Sequence, residues 1–279
     1  MLTGHSKAPV CFAFAGSAQL LVSGAFDKLI KVWDCESLQQ LASYGRHRRA
    51  VTAVACKPDG KTAVTGDEDG NLIVHGLHDF DNVFQLATTC GQVNSLAFSP
   101  SGSLLVSGGG IERQQSILQI FDSDSGRLVK QLEGHSDWVL WVGFSKTGVL
   151  MATGSYGEIL IWDAQSWELL QVLKRPEDER FSMIAFAHSR SDEIFISGAW
   201  SHDEIQEEVH DASGRLSGWN VTHKGLIQFW DLRSGKLIDS VETHRDSLCS
   251  LAYDDRRDRL ATGGADGVVK IWSLEACPT

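Results

Sequence analysis

Positive charge is in short supply: 25 Lys and Arg stand against 36 Asp and Glu, a formal net charge of −11. Neutralising duplex phosphates needs a basic surface, so no nucleic-acid partner is expected. An acidic surface also avoids anionic lipid. No apolar run approaches the roughly 18 residues that span a bilayer, so membrane insertion is not expected. The N-terminal stretch MLTGHSKAPVCFAFAG has one Lys and a short apolar patch, and lacks the charged and hydrophobic regions of a signal peptide. Cysteines 11, 35, 56, 90, 249 and 277 include no C-x-x-C pair and no regular framework. They read as reduced thiols of an intracellular protein, cytoplasmic or nuclear. Convincing helical periodicity is missing throughout. Charged residues make up 22%, a normal globular share, which excludes wholesale disorder.

Glycine is plentiful, at 27 residues, and the sequence repeats itself. Short apolar stretches end in Ser23-Gly24, Thr65-Gly66, Ser107-Gly108, Thr153-Gly154, Ser197-Gly198 and Thr262-Gly263. Their glycines are spaced by 42, 42, 46, 44 and 65 residues, the last being one period plus an insertion. A period of about 40–45 residues belongs to a propeller-type array. Each period reads as three or four strands; in the first they are Val10 to Phe14, Leu20 to Ser23, Leu29 to Trp33 and Leu38 to Ser43. Turn residues such as Pro58-Asp59-Gly60 and Pro100-Ser101-Gly102 separate first from second strands. The expected fold class is all-β, a β-propeller of six recognisable blades in one domain spanning 1–279. The repeats run approximately 1–44, 45–87, 88–132, 133–174, 175–241 and 242–279.

Third strands end in Trp33-Asp34, Phe121-Asp122, Trp162-Asp163 and Trp230-Asp231, with Trp272-Ser273 as a variant. Gly4-His5 and Gly134-His135 lie upstream of their repeats, and His47 and His244 hold the same place without the glycine. In this frame the chain resembles the WD40-repeat family over essentially its whole length. The resemblance implies a structural relay in each blade: a His before the first strand, a Ser or Thr ending the second, an Asp in the next turn, and the third-strand Trp. Indole N–H only donates, a hydroxyl donates and accepts, and imidazole can pass the bond to a carboxylate. Such a buried chain is tolerable only when every member is satisfied. Carried over, repeat 1 has His5, Ser23, Asp27 and Trp33, and repeat 6 has His244, Thr262, Asp266 and Trp272. Repeat 2 has His47, Thr65 and Asp69, with His75 in place of the Trp. Repeat 4 has His135, Thr153 and Trp162 without the turn Asp, and repeats 3 and 5 lack both His and Asp.

The sixth repeat is expected to lack its outer strand. Either the chain is a piece of a longer propeller, or the ring is open and a partner peptide or β-strand completes the blade. The resemblance places the loops between second and third strands on one face with the inter-blade connections. Two insertions fall there, Gly109 to Ser116 and, in blade 5, residues 201–223. The second holds His202, His210 and His223 among carboxylates, but its spacing matches no metal-ligand pattern, so no metal and no cofactor are expected. Phe26, Trp138, Tyr156 and Trp200 are candidate aromatic anchors for a protein partner. Arg48 and Arg49, with Arg46, form a basic patch entering blade 2, and Arg245 and Lys7 hold the equivalent places in blades 6 and 1. Such a sector suits a phosphorylated or acidic peptide.

No G-x-S-x-G, phosphate-binding loop, H-E-x-x-H or sialidase-type Asp-box is present, so catalysis is not expected. The expected function is a non-catalytic protein–protein interaction scaffold or adaptor. Trp230-Asp231-Leu232-Arg233 resembles the ending seen in substrate receptors of cullin-type ubiquitin ligases. LEGHSDWV resembles sensor propellers of NTPase-linked signalling proteins, although no NTPase segment is present.

Overall fold

The computed structural model describes residues 2–16, 19–78, 83–86, 88, 91–110, 116–174, 179–185, 194–202, 207–210, 216–220, 223–254 and 257–273. Side-chain surroundings are described for all of these but 83, 179–185, 194, 200–202, 207–210, 216–220 and 223. Among them the regular elements are strands, and no helix occurs. Six small antiparallel sheets follow one another, each a propeller blade. Blade 1 is β1 (Pro9–Ala15), β2 (Leu20–Ala25), β3 (Ile30–Asp34) and β4 (Gln40–Tyr44). Blade 2 is β5 (Val51–Cys56), β6 (Thr62–Asp67), β7 (Leu72–Gly76) and β8 (Val83–Leu86). Blade 3 is β9 (Gln92–Phe98), β10 (Leu104–Gly110), β11 (Ile117–Asp122) and β12 (Leu128–Glu133). Blade 4 is β13 (Trp141–Phe144), β14 (Leu150–Gly154), β15 (Glu158–Asp163) and β16 (Leu169–Lys174).

Blade 5 pairs β17 (Glu179–Ala185), β18 (Ile194–His202), β21 (His223–Asp231) and β22 (Lys236–His244). Its insertion forms a separate two-stranded sheet, β19 (Glu207–His210) with β20 (Leu216–Asn220). The side chains of His202, His210 and His223 lie outside the described residues. Blade 6 has three strands among the described residues, β23 (Leu248–Asp254), β24 (Arg259–Gly264) and β25 (Val269–Ser273). Residues 274–279, where an outer strand was expected to be missing, lie outside the description. By packing, the chain divides into two compact units, residues 1–155 with 162–169 and residues 156–161 with 170–279.

The recurring Ser/Thr-Gly pairs have two separate jobs. The hydroxyl residue serves its own blade. The glycine makes room for the next one. A Cβ on Gly24 would stand 2.5 Å from a methyl of Val51, one on Gly66 2.5 Å from Val93, and one on Gly108 2.6 Å from Val139. Val51 opens the first strand of the following blade, Val93 is the second residue of its strand, and Val139 stands two residues before its own. Around these seats, second- and third-strand residues of one blade bury against the next. Val22, Ile30 and Val32 share a core with Val51, Ala63 and Leu77. Val64, Leu72 and Val74 do so with Val93, Leu105 and Phe121. In the second unit Ile196, Ile227 and Phe229 meet Leu260. Each such side chain contributes about 1.5–3 kcal/mol through burial, so the junctions dominate cohesion.

The aspartates ending the third strands have a local cause. Asp34, Asp122 and Asp163 each accept the backbone N–H of the serine three residues on, at 2.6, 2.8 and 2.7 Å. Those bonds, with the Ser37 and Ser125 hydroxyls, hold the Asp34 and Asp122 carboxyls below the ordinary carboxylate value. The turn glycines Gly60 and Gly102 sit at φ of 70° and 76°, the left-handed region that favours glycine.

Candidate functional site

In blade 1 the Trp33 indole N–H donates to Ser23 Oγ at 2.8 Å. His5 Nε2 lies 2.9 Å from the same hydroxyl, and His5 Nδ1 lies 3.0 Å from Asp27 Oδ2. The two ends set the direction. Indole only donates and a carboxylate only accepts, so Ser23 O–H donates to His5, and His5 Nδ1–H donates to Asp27. Blade 6 has the same chain: Trp272 to Thr262 at 3.0 Å, Thr262 to His244 at 2.9 Å, His244 to Asp266 at 3.1 Å. In blade 4, Thr153 Oγ1 lies 2.9 Å from Trp162 Nε1 and 2.7 Å from His135 Nε2.

The carboxylates also hold loops. Asp27 accepts the N–H of Ser6 at 2.8 Å and of Leu29 at 3.1 Å. Burial pushes its carboxyl up, but these two bonds and His5 more than offset that and leave it below the ordinary value. Asp266 accepts the N–H of Arg245 and Val268 at 3.2 and 3.0 Å, with the same net result. The residue after each His, on the loop entering the blade, is thereby tied to the turn between second and third strands. A backbone bond repeats the tie: Phe26 N–H to Ala8, Glu68 N–H to Ala50 and Ala265 N–H to Ser247, at 3.1, 3.2 and 2.9 Å.

Blade 2 corrects one expectation. Asp69 is not the relay carboxylate. His47 Nδ1 lies 2.8 Å from Asp67 Oδ2, and His47 Nε2 lies 2.7 Å from Thr65. The expected spacing of 22 residues from the His holds in blades 1 and 6, whereas here it is 20. The reason is steric. Asp67 ends β6 opposite Val51, where blade 1 has Ala25 opposite Pro9 and blade 6 has Gly264 opposite Leu248. A Cβ on Gly264 would stand 2.5 Å from His244 and 2.6 Å from Asp266, so a side chain there reaches the relay itself. Asp67 does so, and its Oδ1 accepts the N–H of Asp69 and Asn71. Asp69 turns outward to Arg49, 3.4 Å away, with both side chains half exposed.

His75 replaces the tryptophan, its Nε2 2.9 Å from Thr65 Oγ1. Thr65 already serves His47, so His75 Nε2–H donates and Nδ1 is left buried without a partner. Burial, then the charges of His47 and Arg46, pushes the His75 imidazole down to about 3. The unfolded chain takes up this proton near pH 6.5 and the folded one does not. The stability involved is complete above pH 6.5 and is lost progressively as pH falls toward 3. Phe121 holds the equivalent place in blade 3. His75→Phe is therefore expected to flatten the fall in unfolding free energy between pH 6.5 and 4.5 by about 2 kcal/mol. Urea unfolding across that range, with an unchanged slope in the variant, would refute it.

Sequence spacing also missed a substitute. In blade 5, which lacks the His, Ser197 accepts the Trp230 indole N–H at 2.9 Å and donates to Gln228 Oε1 at 3.2 Å. Blade 3 also lacks the His, and Gln119 stands opposite Ser107 in the same register, both fully buried. The corresponding residues of the His-bearing blades 1, 2 and 6 are Lys31, Ile73 and Lys270. A glutamine two residues before the third-strand aromatic thus marks a blade without its histidine. Gln228→Leu should cost about 1–3 kcal/mol in urea unfolding by orphaning the Ser197 hydroxyl. A change below about 0.5 kcal/mol would mean that the hydroxyl finds another acceptor.

The surface candidates differ in setting. Phe26, Arg48, Arg49, Tyr156 and Arg245 are exposed. Trp138 is half-buried, its ring lying over Gly110, where a Cβ would stand 2.6 Å from the indole. It is thus partly a packing residue. The Trp200 side chain lies outside the described residues. In the Trp-Asp-Leu-Arg segment, Trp230 and Asp231 both serve the blade, Asp231 accepting the Arg233 N–H at 2.7 Å. Among the described residues, Cys11, Cys35, Cys56 and Cys249 are free thiols. Burial pushes Cys11 and Cys56 up to about 12.

The family model for the WD domain, G-beta repeat, matches residues 1–34, 38–75, 82–112, 126–163 and 235–273, more than half of the chain. The chain belongs to the WD40 family. Relatives are distant. Pre-mRNA-processing factor 19 homolog 2 of Arabidopsis thaliana is 28% identical over 167 residues, 58% of this chain and 31% of that protein. Gem-associated protein 5 of Mus musculus is 26% identical over 325 residues, covering 100% of this chain and 21% of that protein. Small ribosomal subunit protein RACK1 of Neurospora crassa is 27% identical over 132 residues, 47% of this chain and 40% of that protein. This WD40 chain therefore spans less than half the length of these relatives. Blade 5, with its glutamine in place of the histidine and its insertion, falls in the longest interval between matched segments.

Proposed function

We propose that this WD40 chain is a non-catalytic scaffold that binds acidic or phosphorylated peptides through side chains on its stapled loop pairs. The observation that carries the reading is the double tie between entry loop and turn, made by the relay carboxylate and by a backbone bond. Loops held this way present side chains with little ordering cost on binding. Phe26 in the first unit and Arg245 in the second sit on loops tied in both ways, while the loop carrying Arg48 and Arg49 is held by the His47–Asp67 bond and by the Glu68 N–H to Ala50. Arginine forks match carboxylate and phosphate oxygens bidentately, and an aromatic neighbour supplies an apolar contact. The relay groups themselves are buried and bonded to one another, a structural rather than catalytic use.

The test is capture from a phosphopeptide and acidic-peptide array by the purified chain and by the Arg48→Ala/Arg49→Ala variant. Specific peptides lost by the variant, with its melting temperature unchanged, support the reading. Equal capture by both proteins counts against it.

A further inference from the structure

We propose that His202 and His223 form a two-histidine clamp for one divalent transition-metal ion at the far end of the ladder between β18 and β21. The clamp does not rest on the peptide-binding reading above.

Along the chain the two histidines are 21 residues apart, a spacing that matches no ligand pattern. Across the sheet they are partners. β18 and β21 pair in an unbroken register, from Ile194 opposite Asp231 to His202 opposite His223. That ladder has nine rungs, whereas the corresponding ladders of blades 1, 2, 3 and 6 have five. β17 accompanies it only as far as Ser201, and β22 only as far as Gly225. The last rung therefore belongs to two strands alone, with a histidine on each.

Directly opposed residues of an antiparallel pair have Cβ atoms about 4.5–5.5 Å apart. A zinc–imidazole bond is about 2.0–2.1 Å long, so two imidazoles at such a rung are within reach of a single ion. Two histidinium groups opposed there would repel each other, whereas two neutral imidazoles are donors that suit zinc, copper and nickel. The neighbouring charges favour a cation. Lys224, one residue on, is paired with Glu242 at 3.3 Å. The segment joining the two histidines carries Asp203, Glu204, Glu207, Glu208 and Asp211 against one arginine, Arg215, and no lysine. Its negative charge draws a dication toward the end of the ladder. The ion has a structural task. A rung carried by two strands alone is marginally stable. A metal held from both sides closes the 20-residue connection that includes β19 and β20, and so fastens the base of the insertion. His5, His47 and His244 do not compete, because both ring nitrogens of each are bonded within their relays. His210 stands opposite Leu216 in the separate sheet and is not part of the rung.

The experiment titrates the full chain, without an affinity tag and stripped of metal, with zinc chloride in a calorimeter. One ion per chain with a micromolar dissociation constant, weakened about tenfold or more by His202→Ala and by His223→Ala, supports the proposal. His210→Ala should change the affinity by less than about twofold, since it leaves both ligands in place. Zinc should also raise the melting temperature of the unmutated chain and not that of the His202 and His223 variants. A second measurement needs no variant. Pulsed electron paramagnetic resonance of the unmutated chain with one equivalent of copper(II) counts the coordinated imidazoles, and two are expected. Four results would overturn the clamp. Zinc gives no heat and leaves the melting temperature unchanged, so there is no site. Either alanine variant binds as tightly as the unmutated chain, so the ion sits on carboxylates of the connecting segment. His210→Ala weakens binding as much as the other two, so the register does not define the site. Or copper(II) reports one imidazole or none.

Discussion

Asp67→Ala is expected to lower the unfolding free energy by about 3–5 kcal/mol, and Asp69→Ala by less than about 0.5 kcal/mol. Both side chains of the His47–Asp67 pair are fully buried. Removing the carboxylate strands His47 Nδ1–H in the interior and frees the Asn71 side chain and two backbone N–H groups. Breaking one half of a buried, hydrogen-bonded pair is costly because the other half stays behind. Asp69 only faces Arg49 across solvent-exposed surface, where salt screens the attraction. Urea unfolding of the two variants decides it. Similar costs, or the reverse order, would return the relay role to Asp69.

Trp33→Ala should cost about 3–5 kcal/mol, the usual range for a buried tryptophan. Trp33→Phe should cost about 1 kcal/mol beyond its packing change, the net worth of the indole N–H bond to Ser23. Trp272→Ala should cost less than Trp33→Ala, because Trp272 is only half-buried although its relay is complete. Equal losses at Trp33 and Trp272 would show that the relay bond, rather than burial, dominates. Thermal and urea unfolding of the three variants separates the two contributions.

The repeat frame is legible in the sequence because each blade needs the same few residue types at nearly the same offsets. His5, Ser23, Asp27 and Trp33 are found by spacing alone, since a strand has a fixed rise and a fixed partner. Spacing fails where a position can be filled from two sides. Asp67 reaches the imidazole from the strand end and Asp69 was expected to reach it from the turn, and only the crowding seen at Gly264 distinguishes them. Gln228 was hidden for a similar reason. It replaces His from across the sheet, on the third strand, whereas the His would stand ahead of the first. The over-ring contact of Trp138 with Gly110 was invisible because it joins residues from two different repeats. The Ser/Thr-Gly pairs were visible as punctuation, but the glycine's purpose needs the next blade's valine beside it.

That last feature bears on how the protein forms. In blades 1 to 3 the residue that fills each glycine seat comes from the very next repeat to be synthesised. Blades 2, 3 and 4 therefore find this landing place already synthesised when they leave the ribosome. Short sequence separation keeps the entropic cost of closing each contact low. Growth can proceed vectorially from the N-terminus, like bricks laid onto a fresh course.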